Sequence, residues 1–215
     1  MTVTASPIGG RKSAYVARNR LALLRAAQRA VAEYGHNATI EQIAEEAEMS
    51  VSTVYKHFDN KELLISEAFL SGYKEWEEWA VDQASTCTDP LEQLILPMRL
   101  FVRTGETHPL FSRMSAQYPS IVLELIPQAS QGLLGRFGTE SESAFPALDD
   151  MEIRVGNVTN CAAIAFIRRA TDSTFTAEQA DRTIGIALKM FNIPPELVRA
   201  VLDRPLPPLS VVRAL

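Results

Sequence analysis

Cysteine and histidine are scarce in this chain of 215 residues, which has two Cys (Cys87, Cys161) and three His (His36, His57, His108). Two distant thiols make neither a disulfide framework nor a Cys-based metal site; they read as buried free thiols in a reducing setting. The three His are scattered without ligand spacing, so no metal site is expected. A Gly-rich phosphate loop and a nucleophile elbow are also missing. Neighbouring carboxylates such as Glu77-Glu78 and Asp149-Asp150 point in different directions on a helix and read as solvated faces or caps. These absences argue against an enzyme and against a bound cofactor. The longest unbroken apolar run, Cys161 to Ile167, is far too short to span a bilayer. The N-terminus has no apolar signal segment, so a cytoplasmic protein without a membrane partner is expected. Sustained alternation of period two is missing as well, which excludes a sheet.

What is present is helical. Hydrophobic residues make up 47% and charged residues 22% of the chain, as in a packed globular protein. The net charge of −5 is unevenly spread. Residues 1–20 carry Arg11, Lys12, Arg18 and Arg20 and no acid, whereas the stretch after residue 75 holds the whole acidic excess. Such a division suits a chain that meets a polyanion at its N-terminal end only.

The stretch from Thr39 to Glu62 concentrates the strongest signals. Thr39 with Gln42 forms a capping box for a helix over about Ile40 to Ala47, with Ile43, Ala44 and Ala47 on one face. Ser50 caps a helix over about Val51 to Phe58, with Val54 and Phe58 four apart. Asp59 with Glu62 opens a further helix from about Asn60. Only Glu48 and Met49 remain to turn the chain between the first two. A preceding helix from about Arg18 to Tyr34 carries Leu24, Ala27, Val31 and Tyr34 as its stripe, and Gly35 ends it. Two short helices joined by a tight turn, after a longer one, make a helix-turn-helix.

On these residues, with Thr53, Val54-Tyr55, His57-Phe58 and Lys61-Glu62-Leu63-Leu64, the segment from about Asn19 to Leu64 resembles the DNA-binding domain of the TetR family of bacterial transcription regulators. Many members have Gly where this chain has Glu48; at positive φ, Glu costs about 1 kcal/mol relative to Gly. The recognition helix would offer Val51, Ser52, Thr53 and Lys56 to base edges in the major groove, with Ser50 at its start. The resemblance implies that Tyr55 and His57 bond backbone phosphates. Lys61 would do the same, aided by its helix dipole, and Thr39 would add a contact through its hydroxyl and the amides it caps.

The expected organisation is all-α: a flexible basic arm (1–17), a three-helix helix-turn-helix domain (18–66), a helical ligand-binding and dimerisation domain (67–203) and a Pro-rich tail (204–215). The arm either follows DNA or is a solvated tail. The helix from Asn60 should run on through Phe69, Tyr73, Trp76 and Trp79, whose indoles pack a domain junction or line a pocket. Pro97 should kink a helix that starts at Asp89-Pro90. A helix over about Pro119 to Gly138 would precede a loop over residues 138–150. A helix from about Asp150 to Arg169 is apolar on every side between Cys161 and Ile167, and a second runs from Thr176, boxed by Gln179, to Phe191. A second subunit or the same chain must cover them. A two-fold four-helix interface would use Val158, Ala162, Ala165, Ile184, Leu188 and Phe191.

By resemblance, the second domain encloses a small-molecule pocket, with Trp79, Met98, Phe101, Phe111, Met114, Tyr118 and Phe166 as candidates for an apolar or amphipathic effector. A homodimer on a palindromic DNA operator, released by that effector, is the expected mode; an activator or architectural factor without an effector is the alternative.

Overall fold

The computed structural model describes residues 8–140 and 148–212. Twelve α-helices occur among them and no strand. In order these are α1 (Ile8–Tyr34), α2 (Ile40–Glu46), α3 (Val51–His57), α4 (Lys61–Ser85), α5 (Pro90–Phe101) and α6 (Thr104–Thr107). They continue with α7 (Pro109–Gln117), α8 (Pro119–Glu124), α9 (Ile126–Glu140), α10 (Met151–Thr171), α11 (Ala177–Ala187) and α12 (Pro195–Leu202). The chain divides into two compact units at Ser71/Gly72. The expected boundary at residue 66 is thus moved. Leu64, Ile65 and Ala68 of α4 are buried, and Gln28 Nε2 donates to the Ala68 carbonyl at 2.8 Å, which ties this turn to the first unit.

In the first unit α1 begins at Ile8, so residues 8–17 of the expected arm are helical and residues 1–7 lie outside the described ones. The stretch from Arg11 to Arg18 contains no proline and is rich in good helix formers. The Arg18 guanidinium also lies over the Tyr15 ring one turn back, 5.5 Å from its centroid. The buried stripe of α1 runs through Leu23, Ala26, Ala27, Ala30 and Val31. Leu24 is only half-buried and Tyr34 is exposed, so the expected stripe is turned by one position. Gly35, at φ 60°, ends the helix as its sequence position implied.

Helix α2 has the full Thr39–Gln42 capping box, and Ser50 Oγ accepts from the Thr53 amide to start α3. The cap of α4 is Asn60 rather than Asp59: Asn60 Oδ1 accepts from the Leu63 amide at 2.7 Å. Phe58 is extended as it leaves α3, and the residue immediately before Lys61 is the one within reach of the third amide.

The turn between α2 and α3 is a Schellman motif. Met49 N donates to the Ala44 carbonyl at 2.8 Å, and Glu48 N donates to the Glu45 carbonyl at 2.9 Å. Glu48 holds the left-handed position at φ 54° and is exposed. Glu48→Gly is therefore expected to stabilise the first unit by about 0.5–1 kcal/mol, the relief of Cβ strain being partly offset by the freer unfolded chain. An unchanged or lower denaturation midpoint would show that the strain is already absorbed elsewhere.

In the second unit α10 is the central element, packed against α5, α7, α8, α9 and α11. Its apolar stretch is covered mainly by these neighbours. Ala162, Ala163, Ala165 and Phe166 are buried, and Ile164 alone of that stretch is exposed. A stacked aromatic column, Phe101 on Phe166 at 4.2 Å and Phe166 on Phe111 at 5.9 Å, locks α5, α7 and α10 together. Helix α5 continues through Pro97. The expected single helix after Pro119 is two, α8 and α9, separated at Leu125, and α9 runs to Glu140. Of the expected 138–150 loop, residues 141–147 lie outside the described ones. Thr176 and Gln179 form the expected box on α11. Its last turn tightens to a 3₁₀ form over Leu188–Phe191, and Asn192 reverses the chain at φ 54°.

Pro194 caps a further helix, α12, that was not expected, whose buried Val198 and Val201 pack it onto α5 and α11. Both cysteines are free and half-buried rather than buried.

A buried ion cluster joins three of these elements. Arg103 of the α5–α6 link donates both terminal nitrogens to Asp181 of α11, at 2.8 and 2.7 Å, and Arg99 Nε approaches the same carboxylate at 3.4 Å. Arg99 Nη1 also donates to the carbonyls of Val201 and Arg204. Arg204 in turn pairs with Asp89 and Glu92, and Val212 N donates to the Thr107 carbonyl, so the described part of the Pro-rich tail is tied down at its two ends.

Candidate functional site

The first unit presents a short helix whose two faces have different tasks. On α3, Val54 is fully buried, while Ser52, Tyr55 and Lys56 are exposed and Val51, Thr53 and His57 are half-buried. With 54% of its surface exposed, Tyr55 is not a core tyrosine. Ser50 Oγ lies 2.9 Å from both Ser52 Oγ and Thr53 Oγ1, a hydroxyl cluster at the N-terminal end of α3. Thr39, at the start of α2, is exposed, although its hydroxyl is engaged in the capping box.

Two expected contributors are placed differently. Lys61 is half-buried, and its ammonium donates to the carbonyls of Ala38 at 2.8 Å and His36 at 3.4 Å. It staples α4 to the α1–α2 connection. Arg20, counted in the sequence with the basic charge of residues 1–20, is paired with Glu67 of α4. Its guanidinium covers the Phe58 ring at 4.3 Å and donates to the His57 carbonyl at 2.8 Å. Arg20 thereby fixes the C-terminal end of α3 from two sides, which satisfies a carbonyl that the helix itself leaves open. Nothing in the local sequence marked it for that role, because its partners are 37 and 47 residues away.

The second unit contains a cavity of about 110 Å³ between α4, α5, α8, α9 and α10. Of the expected pocket residues, Met98 and Phe101 line it. Phe111, Met114 and Phe166 are instead buried in the core, Trp79 sits edge-on to His108 at 5.4 Å, and Tyr118 is half-buried outside the lining. A further wall is one face of α4: Trp76, one of the two indoles offered for a pocket, with Tyr73, Glu77 and Ala80, which sequence reasoning missed. Their spacing of three and four was the available signal.

The six residues expected at a subunit interface, Val158, Ala162, Ala165, Ile184, Leu188 and Phe191, are all buried within the chain itself. Packing of α10 against α11 consumes that stripe. The exposed large apolar side chains of these helices are Ile153, Ile164 and Ile186. Among the described residues no cluster of His, Cys, Asp and Glu is placed to hold a metal, and no helix is long and apolar enough to cross a membrane.

A capped pair of short helices with a solvent-facing second member is a helix-turn-helix, here ahead of a helical unit with a cavity. Residues 23–68 match the family model for bacterial regulatory proteins of the tetR family, and the chain carries that family's DNA-binding domain. The fold of the remainder agrees. RolR in its complex with resorcinol is 22% identical, over 92% of this chain and 100% of that one, with a TM-score of 0.66. A TetR family transcription regulator from Marinobacter aquaeolei VT8 is 21% identical over 84% of this chain and 97% of its own, at 0.56. The fatty acid degradation regulator FadR from Bacillus halodurans is 15% identical over 86% and 97%, at 0.59. At these identities the likeness is one of fold. No curated protein sequence matches the chain significantly.

Proposed function

We propose that this protein is a ligand-responsive, sequence-specific repressor that binds a palindromic operator as a homodimer and is released by a small apolar or amphipathic effector. The observation that carries this reading is the face of α3, where Ser52, Tyr55 and Lys56 are exposed on a helix held rigid by Ser50, Arg20 and the Schellman turn. Ser52 and Lys56 suit base edges, Lys56 for guanine acceptors, while Tyr55 and His57 suit phosphates. Lys61, already bound to two carbonyls, supports the face in this reading.

Release by a small molecule is supported by the cavity in the second unit, for which an architectural factor would have no use. That RolR is seen with resorcinol in the same fold supports a small-molecule effector here. The exposed Ile153, Ile164 and Ile186 on α10 and α11 are the apolar positions open to a second copy.

Selection of binding sites from a random duplex pool by the purified protein tests the reading. A palindromic winner with half-sites about one helical turn apart, ~34–36 Å, is expected. Lys56→Ala is expected to relax the preference at one position of each half-site while other positions hold. Identical winners from both proteins would remove Lys56 from base readout, and no enrichment at low salt would remove the specific-reader reading.

A further inference from the structure

The cavity of the second unit has one polar end in an otherwise apolar lining. Leu94, Met98, Phe101, Ile126, Leu133 and Ala162 give it apolar walls. Thr159, which also lines it, donates its hydroxyl to the Val155 carbonyl at 2.8 Å and so has no donor left to offer. The other polar groups come from one face of α4. Tyr73 donates its hydroxyl to Glu77 Oε1 at 3.0 Å, which leaves the second carboxylate oxygen of Glu77 as an acceptor. Trp76 is 6% exposed and lines the cavity, and its indole N–H has no acceptor among the described residues. A buried donor without a partner is costly and uncommon, so this N–H is a group that an acceptor entering the cavity could satisfy.

Gly132 of α9 lies beside the carboxylate: a Cβ there would come to 3.9 Å from Glu77 Oε1, an ordinary van der Waals contact. The walls beside Trp76 are aromatic: Phe101 lies 4.6 Å and Tyr73 5.7 Å from its ring centre. The volume of about 110 Å³ is of the order of the ~150 Å³ cavity that takes benzene in an engineered core.

Resting on the sensor reading above, we propose that this cavity takes an uncharged single-ring compound bearing a hydroxyl group, whose oxygen accepts from Trp76 N–H and whose O–H donates to the Glu77 carboxylate. A hydroxyl is the smallest group that answers a donor and an anionic acceptor at once. A carboxylic acid of the same shape would bring a second negative charge beside Glu77. An organic ammonium would pair with Glu77 but offer nothing to Trp76. A plain hydrocarbon would leave both groups unanswered.

The experiment is calorimetric titration of the full chain with four probes of one shape: 4-ethylphenol, 4-ethylbenzoate, 4-ethylbenzylammonium and 4-ethyltoluene. 4-Ethylphenol is expected to bind at least tenfold more tightly than each of the others. Trp76→Phe is expected to weaken it by roughly tenfold, the worth of about one buried hydrogen bond. Glu77→Gln keeps the shape and an acceptor; it is expected to leave 4-ethylphenol within about threefold and to admit 4-ethylbenzoate. Tightest binding of the ammonium, equal binding of the toluene, or no binding of any probe overturns the assignment. So does an unchanged preference for 4-ethylphenol over 4-ethylbenzoate in Glu77→Gln.

Operator affinity measured with each probe separates this proposal from the sensor reading. A charged probe that alone releases operator overturns the ligand class and leaves the sensor standing. Tight 4-ethylphenol binding with no change in operator affinity overturns the sensor and leaves the ligand class standing.

Discussion

Asp181→Ala is expected to cost the second unit about 3–5 kcal/mol of unfolding free energy, the loss that follows when one member of a buried ion pair is removed. Asp181 is the carboxylate that both Arg99 and Arg103 face. All three side chains are close to nine-tenths buried or more, so solvent cannot replace the lost partner. Burial pushes the Arg99 guanidinium below its ordinary pKa while Asp181 pulls it back, and Arg103 pushes in the same direction as burial. Without Asp181, two like charges would share a dry site with only backbone carbonyls for company. The expected effect is large because the cluster also ties α5 to α11 and to the chain after α12.

Both tryptophans of the chain, Trp76 and Trp79, lie in this unit, so urea unfolding followed by tryptophan fluorescence reads it directly. Asp181→Asn keeps an acceptor for Arg103 and should fall between wild type and alanine. A loss under about 1 kcal/mol in the alanine variant would mean that the arginines find water on removal of their partner, and that the cluster is not a stabilising tie.

Acid should destabilise the same unit well before carboxylates matter, and His108→Phe should remove most of that sensitivity. His108 is 8% exposed, packs edge-on against Trp79, and shares a hydrogen-bond contact of 3.0 Å between Nδ1 and Thr107 Oγ1. Its Nε2 has no partner among the described residues. Burial alone pushes the imidazole pKa down from 6.5 to about 4. The native ring therefore resists a proton that the unfolded chain accepts near 6.5. Between those two values the unfolded state binds more protons, so stability falls as pH falls.

From pH 7 to 4.5 the expected loss from this group is about 2–3 kcal/mol. Phenylalanine retains a ring against Trp79 and cannot titrate, so the wild-type slope over this window should flatten in the variant. Asp172 works in a lower range. Its carboxyl is held below the ordinary 3.8 by the Thr174 hydroxyl and amide, so its contribution is lost as pH falls through a value below 3.8. A wild-type slope that His108→Phe leaves intact would show that the buried ring is not the acid-sensitive group.

The all-helical class, the capped helices around the turn, the end of α1 at Gly35 and the start of α11 at Thr176 were determined by the sequence itself. Each rests on interactions within four residues, where side-chain spacing and backbone amides are set by local geometry. The helix-turn-helix was legible for the same reason, and so was the strain at Glu48, since a turn of two residues leaves few backbone solutions. What the tertiary structure decided depends on partners far along the chain. Arg20 looked like part of the N-terminal basic charge until Glu67 and the His57 carbonyl were brought to it, and Lys61 looked like a phosphate contact until two carbonyls of the α1–α2 connection met it. The apolar stripe of α10 and α11 fitted a subunit interface equally well until packing between the two helices buried it. The cavity is bounded by five helices, so no periodicity in any one of them could separate Met98 and Phe101, which line it, from Phe111, Met114 and Phe166, which fill the core. Spacing along a helix names the face; only the neighbours that pack on it determine whether that face meets protein, solvent or ligand.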